Sequence, residues 1–308
     1  MIETAPIVFA IVVTYNRKQL LIQCLSALAK QTQPLSKIII VDNASTDGTL
    51  QELHHSGLLE NPCMQLLSLE QNTGGAGGFS TGMKYAFEQG ADYVWMMDDD
   101  AMPHLNALEE LMKYATPQHI FASLAVHEQQ ISWEMTVKTG DIWQATHNPA
   151  DILEKMEVYS LPFLGFMIHR EMVEKIGLPD TAFFIAADDT EYCLRAKQAG
   201  SKLFLAGRSL IEHPKAQHQE YKVLGKKINY VSLPPWKRYY DTRNRIFIAK
   251  KYFGFKLYSQ TLPSILFRLC ISMMVEKHKY QQLKAYYLGL YDGLTAQSGK
   301  RHEHRGLM

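Results

Sequence analysis

Four apolar, β-branched runs, IVFAIVVTY, SKIIIVDN, MQLLSLE and DYVWMM, are separated by segments whose apolar residues recur at helical spacing. In RKQLLIQCLSALAKQ that spacing is carried by Leu20, Leu21, Cys24, Leu25 and Leu28, while STDGTLQELHHS opens with cap-type residues. A continuous β-branched run predicts a strand covered on both faces. Repeated alternation of such runs with helices predicts an α/β chain: a mostly parallel sheet with helices on both faces. In sheets of this kind the ligand site lies outside the carboxyl ends of the strands. TYNR, VDNAS, EQNTGG and MDDDA all fall at those ends, so four polar clusters distant in sequence are expected to share one crevice. The pattern is less regular from about residue 119 to 169, with hairpin material around ISWEMTVKTGDIW and a strand at LGFMIHR. TGGAGGFSTGMKYAFEQG reads as a glycine loop entering a helix, DDTEYCLRAKQAG as a helix closing on Gly200, and SKLFLAG as a further strand.

A chain of 308 residues, 46% of them apolar, can bury a full core and accommodates one large α/β domain with an appendage. Cys24, Cys63, Cys193 and Cys270 form no CxxC pair, which argues against a disulfide framework or structural zinc and suits a reducing cytoplasm. The amino terminus lacks a basic n-region, so no signal peptide is expected. The nearest approach to a spanning segment, TLPSILFRLCISMMV, is interrupted by Pro263 and Arg268. The net charge of +1 conceals a division: residues 216–308 hold 17 Lys and Arg against 5 Asp and Glu, a balance of +12, and residues 1–215 carry −11. Two domains follow, 1–215 and a basic, mainly helical region 216–308 suited to acceptor, membrane or dimer contact. No nucleic-acid partner is expected.

Asp98-Asp99-Asp100 places three like charges where a buried strand ends, an unfavourable arrangement unless a cation sits there. Clustered carboxylates are hard oxygen ligands suited to Mg2+ or Mn2+ shared with substrate phosphates; the bland alternative is a solvated acidic turn. Strand alternation would turn Asp98 and Asp100 to one side and Asp99 to the other. Gly75-x-Gly77-x-x-Ser80 lacks a third glycine and follows the third strand, so a nicotinamide site is not supported. The glycines could let a ligand approach the backbone or could form a structural turn. Asp188, Asp189 and Glu191 open a helix, where its free N–H groups alone could account for them. His213 reads by spacing as an ordinary core-edge histidine rather than a ligand.

VVTYNRKQLLIQCLSAL…QT, IIIVDNASTDGT, NTGGAGGFSTGMKYA, WMMDDDAMP and DDTEYCLRAKQAG together resemble the family 2 glycosyltransferases of the GT-A, Rossmann-like fold. NTGGAGGF and WMMDDDA are most similar to the galactofuranosyltransferase and rhamnosyltransferase branch, and WKRYYDTRNR more loosely to the segment after its catalytic domain. The resemblance covers roughly residues 7–215. It implies donor contacts from Thr14, Tyr15, Asn16, Arg17, Asp42, Asn72, Gly74, Gly75, Asp98 and Asp99. It implies a Mn2+ or Mg2+ site from Asp98, Asp100 and His213, raising the last above its bland reading, and a general base at Asp189 with Asp188 beside it. The implied reaction is inverting, metal-dependent sugar transfer, with UDP-galactofuranose as donor and a bacterial surface glycan or lipid-linked acceptor. dTDP-rhamnose is the runner-up donor, and a non-catalytic sugar-nucleotide-binding subunit the reading of another class. A cytoplasmic enzyme, peripheral at the inner face of the cell membrane and able to form a homodimer, is the expected setting. Two departures are expected to matter: Ala187 stands where galactofuranosyltransferases with a WDD motif carry the tryptophan before the aspartate pair, and residues 1–308 are read as without a counterpart of the additional amino-terminal domain of the large polymerising members.

Overall fold

The computed structural model describes residues 5–215, 218–223 and 226–307. The first residues of the amino terminus, read above for a leader, and two short pieces of the polar stretch after His213 lie outside the described residues. The chain divides into two compact units, Met1–Pro179 with Tyr192–Lys215, and Asp180–Glu191 with Ala216–Met308.

The first unit opens with the expected alternation: β1 (Val8–Thr14), α1 (Lys18–Leu28), β2 (Lys37–Asp42), α2 (Thr49–His55), β3 (Met64–Ser68), α3 (Gly74–Glu88) and β4 (Tyr93–Asp98). It continues with β5 (Met102–Pro103), α4 (Ala107–Met112), β6 (Ile120–His127), β7 (Gln130–Ile131) and the hairpin β8 (Met135–Thr139)–β9 (Ile142–Thr146). Next come β10 (Lys155–Glu157), β11 (Phe166–His169), α5 (Arg170–Ile176), α6 (Asp188–Gln198), whose first four residues belong to the other unit, and β12 (Leu203–Glu212). The large sheet has the order β10-β12-β6-β11-β4-β1-β2-β3. β3, β2, β1 and β4 run parallel, whereas β11 is antiparallel to both β4 and β6. β1 pairs with β2 on one side and β4 on the other, so the strand order reverses across β1 and opens a crevice at the carboxyl ends of β1 and β4. Val13 is in register with Asp98, which brings the Thr14 and Asp98 ends together.

Every residue of β1 is buried, as its unbroken β-branched run requires. Successive side chains enter opposite layers. Phe9, Ile11 and Val13 pack with Phe79, Met83 and Ala86 of α3 and with Tyr192, Cys193 and Ala196 of α6. Val8, Ala10 and Val12 pack with Leu21, Cys24, Leu25 and Leu28 of α1 and with Leu108 and Leu111 of α4. The glycine-rich segment forms the first turns of α3, not a loop. Helix formation wins because glycine lets α3 lie directly on β1: a Cβ at Gly78 would stand 2.6 Å from Val13 Cγ1, and one at Gly82 2.6 Å from Ile11 Cγ2.

In the second unit β13 (His218–Val223) and β14 (Lys226–Val231) form an antiparallel hairpin ahead of α7 (Pro235–Ile248), α8 (Leu262–Val275) and α9 (Lys279–Leu294). Single π-type turns, Ala249–Phe253 and Leu257–Thr261, join α7 to α8. Small residues bring α7 and α9 close: a Cβ on Gly289 would lie 2.8 Å from Tyr239 O, and one on Gly293 2.9 Å from Ile246 Cβ. The Tyr239 hydroxyl donates to buried Asp292 at 2.5 Å across this contact. Among the described residues no helix is long and apolar enough to cross a membrane.

Candidate active site

In the first unit the carboxyl ends of β1, β2, β4 and β12 carry the polar residues singled out from sequence. The loop after β1 is tied to the loop after β2: Asn16 Oδ1 accepts from Thr46 N at 2.7 Å, and Asn16 N donates to Ser45 Oγ at 2.9 Å. Asn16 has φ 55°, a left-handed conformation that asparagine adopts more readily than most residues. Tyr15 leaves its ring exposed. Asp42 is buried and accepts from Ser45 N at 3.2 Å. Asn72 Oδ1 accepts from Gly74 N at 2.8 Å, and Gly74 and Gly75 begin α3.

The acidic run is held by contacts spanning more than eighty residues of sequence. Asp99 is buried and accepts from Thr14 Oγ1 at 2.7 Å. Arg17 Nη1 reaches Asp99 Oδ1 at 3.3 Å and Asp100 Oδ2 at 2.8 Å. The other oxygen of Asp100 lies 3.3 Å from His213 Nε2. His213 follows β12, fixed by its N–H to Val126 O and by Ser132 Oγ on its carbonyl, with Trp133 edge-on to its ring. β4 ends at Asp98, so Asp99 and Asp100 are turn residues. The period-two argument therefore stops at Asp98, and Asp99 and Asp100 share the Arg17 guanidinium. Thr14, Arg17, Asp99, Asp100 and His213 thus form one connected cluster.

Its electrostatics are those of an anionic site short of positive charge. Asp98 is the exposed end of β4, yet enough protein surrounds its carboxylate that burial leads the causes raising its pKa to about 7, followed by Asp100 and Asp99. Burial also raises Asp99, against the Thr14 bond and the Arg17 charge. Asp100 goes the other way: burial opposes ionisation, but the His213 contact and Arg17 outweigh it. Among the described residues no three His, Cys, Asp or Glu side chains are gathered into a metal cluster. The donor types nevertheless fit Mn2+ or Mg2+. His213 Nδ1 is buried without a hydrogen-bond partner among the described residues, a costly state that a ligand would relieve.

Asp188 and Asp189 belong to the second unit. They follow three non-glycine residues with positive φ, Phe184 (63°), Ala186 (70°) and Ala187 (61°), each costing roughly 1–3 kcal/mol. Burial, then the charge of Asp189, raises the Asp188 pKa to about 8. Burial raises Asp189 too, but Thr190 N and Oγ1 donate to its Oδ1 at 2.6 and 3.2 Å and favour its charged form. Asp189 is therefore the more readily ionised of the two.

Sequence reasoning passed over Asn43. This buried side chain donates to Gly74 O at 2.8 Å and accepts from Thr73 N and Oγ1 at 2.8 and 3.0 Å, tying the start of α3 to the end of β2. Its signal was the third letter of VDN. Arg243, Asn244, Lys251 and Tyr252 were passed over as well, although the first two lie within WKRYYDTRNR.

A mostly parallel sheet with a crevice at its strand-order reversal and acidic residues on the rim makes the first unit an α/β fold with its polar site at the carboxyl ends of the strands. The model of glycosyl transferase family 2 matches residues 9–177, and the chain belongs to that family. It is 26% identical over 262 residues to the galactofuranosyltransferase GlfT1 of Mycolicibacterium smegmatis, covering 80% of this chain and 83% of that protein. It is 23% identical over 302 residues to the dTDP-rhamnosyl transferase RfbF of Shigella flexneri, covering 95% and 97% of the two chains. Among solved structures it is similar to GalNAc-T7 with UDP, GalNAc and Mn2+, with TM-score 0.61 and 13% identity over 99% of this chain and 59% of the other. It is also similar to the mannosyltransferase PcManGT of Pyrobaculum calidifontis with GDP-Man and Mn2+, with TM-score 0.56 and 17% identity over 96% and 89%. The fold is GT-A, and the chain is a family 2 glycosyltransferase.

Proposed function

We propose that this glycosyltransferase moves galactofuranose from UDP-galactofuranose, with inversion, to a glycan or lipid-linked acceptor of a bacterial surface polysaccharide. The observation that supports a charged, diphosphate-leaving donor is the acidic run at the β1/β4 crevice, where burial and then the neighbouring carboxylates raise Asp98 and His213 Nδ1 has no partner among the described residues. Asp98, Asp100 and His213 would hold a Mn2+ or Mg2+, which supplies Lewis-acid neutralisation of the leaving diphosphate when bound. Thr14, Tyr15, Asn16, Arg17, Asp42, Asn72, Gly74, Gly75 and Asp99 are assigned to donor binding, with the exposed Tyr15 ring available to stack on the base. Asp189 takes the acceptor hydroxyl proton as the new bond to C1 forms and the C1–diphosphate bond breaks; Asp188 keeps its own proton. The sugar is supported by the similarity to the galactofuranosyltransferase; the match to the rhamnosyl transferase over 95% of the chain keeps dTDP-rhamnose as the second reading. Purified protein with Mn2+ and a panel of nucleotide sugars is expected to hydrolyse UDP-galactofuranose slowly. Hydrolysis of dTDP-rhamnose alone selects the second donor, and binding without hydrolysis of any donor selects a non-catalytic subunit.

We further propose that the basic second unit rests on anionic membrane at the inner face of the cell membrane. On α9, Tyr280, Leu283, Tyr287, Tyr291 and Leu294 are exposed at spacings of three and four, and on α8 Leu266, Phe267 and Met274 are exposed. Exposed Lys256, Lys277 and Lys279 accompany them. Aromatic rings at an interface with lysines against anionic head groups are the signature of a helix lying in the membrane surface. Each such lysine contributes about 1 kcal/mol. Sedimentation with liposomes is expected to need anionic lipid and to weaken sharply with added salt. Equal recovery in the supernatant with and without anionic lipid at low salt leaves a homodimer or an anionic acceptor as the occupant.

A further inference from the structure

Two buried side chains of α7, Arg243 and Asn244, donate to backbone carbonyls just ahead of the carboxylate pair. Asn244 Nδ2 lies 3.0, 2.8 and 2.7 Å from the carbonyl oxygens of Phe183, Ile185 and Ala186. Arg243 Nη2 donates to Ala182 O at 3.0 Å and Phe183 O at 2.8 Å, and its Nη1 to Gly299 O at 2.7 Å. Arg243 Nε donates to Asn244 Oδ1 at 2.9 Å, which turns the amide so that its NH2 faces the carbonyls. Both side chains are fully buried. A second anchor lies just beyond the pair. Buried Glu191 accepts from Lys251 Nζ at 2.8 Å and from the Tyr252 hydroxyl at 2.6 Å, both on the π-type turn that continues α7.

We propose that α7 and its π-type continuation are the positioning element for the proton-accepting pair Asp188–Asp189, with Arg243 and Asn244 holding the chain before it and Lys251 and Tyr252 holding it after. This rests on the assignment of the pair as the base. The physical need comes from the left-handed residues Phe184, Ala186 and Ala187. Such a path has no regular ladder to satisfy its carbonyls, and a buried carbonyl without a partner is unfavourable. Side-chain donors replace the missing ladder, and without them the segment relaxes toward ordinary φ values and carries the carboxylates with it. The two anchors bracket the pair closely: Ala186 O is the last carbonyl held upstream, and Glu191 N closes the first helical bond onto Ala187 O at 3.0 Å. Catalytic geometry tolerates little displacement; a misplacement of about 1 Å can cost on the order of 100-fold in rate.

The test uses the full chain and whichever of UDP-galactofuranose or dTDP-rhamnose it hydrolyses. Asn244→Ala is expected to lower kcat by about 10- to 100-fold with the donor KM unchanged. Amide hydrogen exchange should rise within residues 182–191 and stay unchanged in β1 and β4. In an Asp189→Asn background the same substitution should lower kcat no further, because the carboxylate it positions is already gone. An equal fold-loss in both backgrounds, or full kcat in Asn244→Ala while Asp189→Asn is impaired, overturns the inference. Full turnover in Asp189→Asn itself defeats the base assignment, a separate result that removes the inference with it. Should Asn244→Ala fail to fold, the double variant Lys251→Met with Tyr252→Phe, at partly exposed positions, carries the same expectations and is overturned by the same results.

Discussion

Asp98→Ala and Asp100→Ala should each abolish sugar transfer, and a chelator should reproduce their effect on the unaltered protein. The expectation follows from charge. Asp98 is pushed up to about 7 by burial and by two neighbouring carboxylates, so a divalent cation would bind where negative charge is least compensated. Asp100 lies between Arg17 and His213, so its loss takes a partner from both and removes a proposed ligand. Asp99→Ala should affect transfer less but stability more. Its carboxylate takes the buried Thr14 hydroxyl, and an unpaired buried donor costs about 1–3 kcal/mol. Activity assays in EDTA with Mn2+ add-back, alongside thermal unfolding of the three variants, separate these effects. Full activity in EDTA would sink the metal assignment.

Asp189→Asn should lower turnover by roughly 10²–10⁴, the usual worth of a general base, while donor binding is nearly unchanged. Asp188→Asn should cost less. The pair titrates as one system. Burial raises both carboxyls, so turnover should climb with pH through a limb lying above the ordinary aspartate range, as the first proton leaves. Burial and the Asp189 charge push Asp188 up to about 8, while the Thr190 hydrogen bonds favour the charged form of Asp189, so the last proton of the pair belongs to Asp188. Asparagine at 188 imitates the protonated acid and should leave that acid limb in place. Rate profiles of the two variants decide the matter: a larger loss at 188 than at 189 exchanges their roles.

The strands and helices of the first ninety-eight residues were legible because their causes are local. β-Branched runs bury on both faces wherever helices cover them, and the turn-forming residues between them cannot continue either element. Convergence of TYNR, VDNAS, EQNTGG and MDDDA at one sheet edge was legible too, since parallel strands joined by helices must present their carboxyl ends together. The glycine segment was legible only in part. Its composition suits a loop or a close approach equally, and the presence of β1 beneath Gly78 and Gly82 made it a helix.

Other features rest on tertiary structure alone. Nothing near Asp99 and Asp100 in sequence announces that Arg17, more than eighty residues away, would lie between them. The basic balance after residue 215 was visible as a charge, but not that Arg243 and Asn244 would spend their donors on the chain at 182–186, or that Asp180–Glu191 would cluster with that region. The physical reason is the nature of the acceptor. A salt bridge leaves two charged letters to be matched, whereas a backbone carbonyl is the same on every residue. A side chain that binds carbonyls sixty positions away therefore writes only its own half of the interaction into the sequence, and folding supplies the other half.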